Sequence, residues 1–329
     1  MIVDILKDSR YEGFTPVFEC ISGSQLYGTA SSESDVDCRG VFIASKKYFL
    51  GFSGIEQIEP NAETVYFEIR KFFKLCLECN PNLIELLFVP PTKQLFSSRQ
   101  WRRIVSSKEV FLSRKAARTF PGYAIAQLHR IKQHRNWLLH PIKKQPVRSD
   151  FGLPMEKTLV AKDQLNAYEE LKDRNSIPYE LNPNFLELLE REKAFLNANR
   201  EWNNYQKWLR ERNPKRAVLE KQAGYDTKHA SHLIRLIGEG RELLLTGCIT
   251  FPRPDARLLR AIIDGEFSYD QLMSMIGDSE TVFREMSKQS QLPDGPDYER
   301  AEELCQSLIF RTITKRPLDD LPFARDAAP

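Results

Sequence analysis

The sequence predicts an α+β (mixed α/β) fold: a small mixed sheet with helices in the first third, then a mostly helical remainder. Three observations predict it. Strand-like runs are confined to residues 17–69, and helical period dominates from about residue 116 onward. The chain has 329 residues, more than one hydrophobic core usually serves, so two domains are expected, 1–115 and 116–329. Apolar content of 41% and charged content of 28% exclude wholesale disorder. Only Arg325-Asp326-Ala327-Ala328-Pro329 reads as a loose end.

The elements follow in order. Val17 to Ile21 is strand-like and runs into Ser22-Gly23-Ser24, a small-residue turn. Gln25 to Gly28 fits a short helix, and Thr29 to Ser34 a polar loop. Val36 to Ile43 is the next strand. Glu63 to Ile69, rich in β-branched and aromatic residues, is a third. Arg70 to Leu77 switches to helical period, Asn80-Pro81-Asn82 interrupts it, and Leu83 to Phe88 follows before Pro90-Pro91. Further on, helices are expected over Ala116 to Leu139, Leu159 to Leu171, Asn184 to Arg212 and Lys228 to Leu245. Three shorter ones cover Asp255 to Asp264, Ser268 to Ile276 and Asp297 to Thr312. Pro141 to Pro154 holds three prolines and must be irregular; its segment Pro146 to Pro154 suggests no mechanism.

A net charge of +3 says little by itself, but Arg99 to Arg118 and His129 to Arg148 are rich in Lys and Arg. Such stretches attract phosphate when they line a groove and are otherwise solvated helix faces. The start, Met1 to Asp8, carries charge where a signal peptide needs an apolar run, and no run is long enough to span a bilayer. Six scattered cysteines fit a reduced, cytoplasmic compartment. Cys76 and Cys79 lie in an apolar helical pattern without a second pair, which reads as core thiols.

The chemistry is expected around Gly23-Ser24 and Asp35-Val36-Asp37. Side chains alternate along a strand, so Asp35, Asp37 and Arg39 share a face. Two carboxylates so placed repel unless a cation lies between them. A divalent ion resolves that repulsion, and Mg²⁺ favours one or two carboxylates plus substrate phosphate oxygens. The glycine-serine turn and the helix start after it offer backbone N–H groups to an anion. A third carboxylate on a neighbouring strand, Glu63 or Glu68, could complete a two-metal site and accept a proton. Asp-x-Asp alone is commonly a solvated strand end, and Gly-Ser alone a turn. Their succession within about 20 residues, followed by an acidic strand, is what points to chemistry.

Gly23-Ser24-Gln25-Leu26-Tyr27-Gly28 with Ser34-Asp35-Val36-Asp37-Cys38-Arg39-Gly40-Val41 resembles the signature of DNA polymerase β-type nucleotidyltransferases. More narrowly, it is similar to the RNA-ligase-associated, RlaP-like branch found in bacteria and phages. Glu63 to Phe72, Asn80 to Leu87 and Gly224 to Leu236 extend the resemblance. It implies a polymerase-β-type catalytic domain in 1–115 and a helical domain in 116–329. It implies a triphosphate held at Gly23 and Ser24, and two ions, Mg²⁺ or Mn²⁺, held by Asp35, Asp37 and a third acid. Glu63 ranks ahead of Glu68 there, although the family more often has Asp. The partners implied are a nucleoside triphosphate and an RNA acceptor, with association with an RNA ligase in a bacterial or phage-infected cell. Two rivals stand beside this: transfer of a nucleotide to a protein, as in toxin–antitoxin nucleotidyltransferases, and a non-catalytic nucleotide- or RNA-binding module.

Arg39 could touch phosphate or pair with the two aspartates. Tyr27 fits core packing better than base stacking. Asp226 or Thr227 can cap a helix bearing Lys228, His229 and His232. These three, with Arg235, are expected to face nucleotide phosphate or base, or else to pack at an interface; a zinc pair at His229 and His232 lacks further ligands. His129, His134, Arg135 and Trp137 could hold single-stranded nucleic acid, against a reading of Trp137 as core.

Overall fold

The computed structural model describes residues 1–155, 160–173, 182–212, 214–277 and 279–316. Leu159 and the segment Arg325 to Pro329, both named above, lie outside these. The described chain forms two compact units, residues 1–131 with 226–329, and residues 132–225. The border expected at 115/116 lies inside the first unit, where the late helices join the sheet. No helix among the described residues is long and apolar enough to cross a membrane.

The first unit is built on a five-stranded mixed sheet in the order β3-β4-β2-β1-β5. Its strands are β1 (Thr15–Ser22), β2 (Asp37–Ile43), β3 (Gln57–Asn61), β4 (Thr64–Glu68) and β5 (Gln94–Ser97). β2 and β4 run parallel, and the other neighbours are antiparallel. The helices of the early part are α1 (Ile2–Ile5), α2 (Gly23–Tyr27), α3 (Lys47–Leu50), α4 (Ile69–Leu77), α5 (Pro81–Ile84) and α6 (Arg99–Ser106). α7 (Ala116–Leu139) follows, then α8 (Lys162–Asp173), α9 (Pro183–Glu211) and α10 (Pro214–Ala223). The last five are α11 (Thr227–Thr246), α12 (Ala256–Ile263), α13 (Tyr269–Ile276), α14 (Ser279–Gln289) and α15 (Tyr298–Thr314).

Each face of the sheet has its own cover. Phe18 on β1 stacks on Trp101 of α6 at 3.8 Å, and Trp101 meets Phe72 of α4 at 5.5 Å. On the opposite face Ile2, Phe14, Phe42, Ile58 and Tyr66 form one apolar cluster under α1. Tyr66 reaches across the sheet to donate to Glu19 at 2.6 Å. Gly40 makes that reach possible, because a Cβ there would meet the Tyr66 ring at 2.8 Å.

Several elements differ from expectation. The break at Asn80-Pro81-Asn82 is present, since α4 ends at Leu77, and it also starts the next helix, with Asn80 capping α5 and Pro81 at its first position. Leu83 to Phe88 is not one helix: Glu85–Phe88 is a 3-10 turn. Cys76 and Cys79 are buried free thiols, as expected for core residues. In the second unit Trp137 is buried and meets Tyr205 at 5.7 Å and Trp208 at 5.5 Å, which makes it core. Arg135 there donates to the Gly224 carbonyl at 2.7 Å. Arg148, from the segment without an assigned mechanism, pairs with buried Glu192 at 3.0 Å and so ties an irregular loop to α9.

Candidate active site

The site begins where β1 ends. Gly23 opens α2 with φ +62°, a conformation that L side chains rarely adopt. A Cβ on Gly23 would lie 2.2 Å from Asp37 Oδ2. The Asp37 carboxylate therefore rests directly on the backbone of the Gly-Ser turn. Register explains the placement, since Ser22 and Asp37 are partners in the β1–β2 ladder. The helix is expected from Gln25 but starts at Gly23, so both turn residues belong to it. It is a single turn that ends at Gly28, φ +79°.

Asp35 precedes the strand and is exposed. The loop before it is folded by Ser34, whose hydroxyl accepts from the Ser31 N–H at 2.8 Å while its own N–H donates to the Ser31 carbonyl at 3.1 Å.

Glu63 and Glu68 part company. The parallel β2–β4 ladder pairs Cys38 with Thr64, which puts Glu63, one residue earlier, beside Asp37. Its carbonyl accepts from the Cys38 N–H at 2.9 Å. Glu63 is exposed and sits in the β3–β4 turn rather than in the strand expected for it. Glu68 pairs with Phe42, on the opposite face of the sheet, and is 2% exposed. There it caps α4 by accepting from the Arg70 N–H at 3.1 Å, and it pairs with the Arg70 side chain at 3.0 Å. Burial raises the Glu68 pKa against the pull of Arg70. Glu68 thus serves the fold, and Glu63 is the acid next to Asp37.

Arg39 forms no ion pair with Asp35 or Asp37 among the described residues. Its Nη1 donates to the carbonyls of Cys38 at 2.8 Å and Glu63 at 2.9 Å. Among the described residues, Asp35, Asp37 and Glu63 form no ion pair with a Lys, Arg or His. Their carboxylates are not gathered to within 4.8 Å of one another as a group of three.

Behind the turn lies a buried charge network. Arg235 of α11 donates to Glu85 at 3.0 Å and to both oxygens of Glu239, at 2.9 and 2.8 Å. Its guanidinium lies over the Tyr27 ring, 4.1 Å from the centroid, and Tyr27 donates to Glu85 at 3.0 Å. Burial pushes the Glu85 carboxyl up to about 7, against the pull of Arg235. Arg235 is 4% exposed, and its Nη1 is engaged here, so it anchors α2, the packing alternative of the two expected for it. The same unit adds backbone ties: Arg253 N–H donates to the Tyr27 carbonyl at 3.0 Å, and Arg260 to the Thr29 carbonyl at 3.3 Å. A Cβ at Gly28 would meet Pro252 at 2.9 Å. Late helices thereby hold the first functional turn in place.

Asp226 is the cap of α11 and accepts from the His229 N–H at 3.0 Å. His229 Nδ1 is 2.7 Å from Gln127. His232, one turn before Arg235, is held neutral. Burial, then Arg235, Lys228 and His229, push its pKa down to about 3. It can offer a substrate one hydrogen-bond donor but no charge. Lys228 is exposed.

A family model described as RlaP, RNA repair pathway DNA polymerase beta family, matches residues 6–280. The chain belongs to the RlaP family. The matched span takes in every site residue from Gly23 to His232, and the RlaP match covers the sheet and the α11 segment together. No curated protein and no solved structure matches the chain.

Proposed function

We propose that the protein transfers a nucleoside monophosphate from a nucleoside triphosphate to an acceptor hydroxyl, an RNA 3′ end in repair or tailing. The observation that carries this reading is the Asp37 carboxylate seated on Gly23, with Glu63 beside it across the β2–β4 ladder. Asp35, Asp37 and Glu63 are hard oxygen donors without a cation of the chain's own, which fits Mg²⁺ or Mn²⁺. Two such ions, held by these three acids, would supply charge neutralisation at the reacting phosphate.

The chain's residues have separate tasks. The backbone at Gly23 and Ser24 and the Ser24 hydroxyl bind the triphosphate. Lys228 adds charge and His229 and His232 add hydrogen bonds to the nucleotide. The acceptor oxygen bonds to the α-phosphorus, the bond to the β-phosphate oxygen breaks, and pyrophosphate leaves. The hydroxyl proton passes to a carboxylate of the acidic group, for which Glu63 is placed.

An RNA acceptor is favoured by the family's description and by charge distribution. Residues 132–225 hold eighteen Lys and Arg against thirteen Asp and Glu, so the basic excess of the chain is concentrated there. The test is incubation with each labelled triphosphate, Mg²⁺ or Mn²⁺, and either total RNA or total protein. Label entering RNA with the wild type and not with Asp35→Ala/Asp37→Ala supports the proposal. Label entering protein instead would move the acceptor, and equal labelling by the double variant would remove the site.

A further inference from the structure

We propose that Arg39 is a positioning residue that clamps Glu63 beside Asp37 through its Nη1. The inference rests on the proposed metal-binding role of Asp35, Asp37 and Glu63.

Glu63 sits at an awkward place for a metal ligand. It belongs to the turn between β3 and β4, and the ladder of that hairpin is irregular between Ile58 and Asn61. A hairpin tip of this kind is weakly held by its own strands. The structure holds Glu63 from the other side. Its carbonyl accepts twice, from the Cys38 N–H at 2.9 Å and from Arg39 Nη1 at 2.9 Å, which fills both lone pairs. Its N–H donates to Asn61 Oδ1 at 3.1 Å. The same Arg39 nitrogen donates to the Cys38 carbonyl at 2.8 Å. One charged –NH₂ group thus bridges the residue after Asp37 to Glu63 itself, and charge-assisted bonds are the stronger kind. The bridge fixes the spacing of two backbones, and with it the spacing of two carboxylates. Holding both carbonyls commits Nη1 of Arg39 to the backbone.

The experiment uses the full chain and Mn²⁺ alone as the probe, with bound ion read by electron paramagnetic resonance. Wild type against Asp35→Ala/Asp37→Ala tests the underlying site: loss of binding in the double variant is expected. Equal binding would defeat the proposed function and this inference together. Arg39→Met removes the donors, and Mn²⁺ affinity is expected to fall on the order of 10- to 100-fold, as when a metal ligand loses its support. Arg39→Lys should recover part of it. Asn61→Ala, at an exposed turn, should weaken Mn²⁺ in the same direction by a smaller factor, and it tests the clamp even if Arg39→Met folds poorly. In turnover, KM for the triphosphate at saturating Mn²⁺ should stay unchanged in Arg39→Met. Unaltered Mn²⁺ affinity in both Arg39→Met and Asn61→Ala would overturn the clamp. So would a raised triphosphate KM with wild-type Mn²⁺ affinity.

Discussion

Replacing Gly23 by alanine separates what the site needs from what the fold needs. Two costs apply. An alanine held at φ +62° carries roughly 1–2 kcal/mol of backbone strain. Its Cβ would also lie 2.2 Å from Oδ2, 3.0 Å from Cγ and 3.2 Å from Cβ of Asp37, so the whole side chain has to turn away. To reach a normal contact the carboxylate retreats by about 1 Å, and a misplacement of that size costs on the order of 10²-fold in rate. Asp37 is only half-buried, so its retreat adds little to the loss of stability. Gly23→Ala is therefore expected to keep most of its stability and lose about 100-fold in turnover. Gly152→Ala is the control, because it carries the same kind of strain at φ +66° in a turn far from any site residue in sequence. Both variants go through urea denaturation and initial-rate measurement of label transfer. Equal stability losses with activity lost only in Gly23→Ala support the reasoning. Wild-type turnover in Gly23→Ala would refute it.

Other outcomes follow from the same geometry. Glu63→Gln should abolish transfer with an unchanged melting temperature, whereas Glu68→Gln should keep turnover and lose about 1 kcal/mol of stability with its helix cap weakened; paired rate and denaturation measurements check both. Arg235→Met leaves Glu85 and Glu239 buried without their counter-ion, and breaking such a group costs about 3–5 kcal/mol, read by urea denaturation. Glu85 has a pKa raised on folding, so its contribution to stability is complete below its unfolded value of 4.5 and is lost as pH rises through about 7. Glu85→Gln should therefore gain on the wild type in melting temperature between pH 5 and pH 8, and a difference that stays flat across that window would contradict the assignment.

The acidic site was legible because its parts are close in sequence. Gly23, Asp35 and Asp37 lie on one strand-turn-strand path, and the β1–β2 register sets Asp37 beside the end of β1 at Gly23. Alternation also separated Glu63 from Glu68, and the β2–β4 register then showed which of them stands beside Asp37. What sequence could not supply was long-range partnership. Arg235 and Glu85 are 150 residues apart, and no local pattern reveals that they share a buried bond. Arg39 shares a strand face with Asp37, but its carbonyl partners depend on a turn whose placement only the sheet defines. β3 escaped notice because Gln57–Asn61 contains a proline and lacks alternation, and β5 because four residues are too few to show a period. The packing of the helices between Thr227 and Thr314 in one unit with the sheet was likewise hidden, since helical period says which face is apolar and not what it meets.

The central claim is that divalent ions sit among Asp35, Asp37 and Glu63 together with a triphosphate. It is tested most directly by diffraction at the manganese absorption edge, from crystals grown with Mn²⁺ and a non-hydrolysable nucleoside triphosphate analogue. The account predicts anomalous peaks bonded to these three carboxylates and to phosphate oxygens at the Gly23-Ser24 turn. Manganese absent from the three acids while the analogue is bound elsewhere would contradict it.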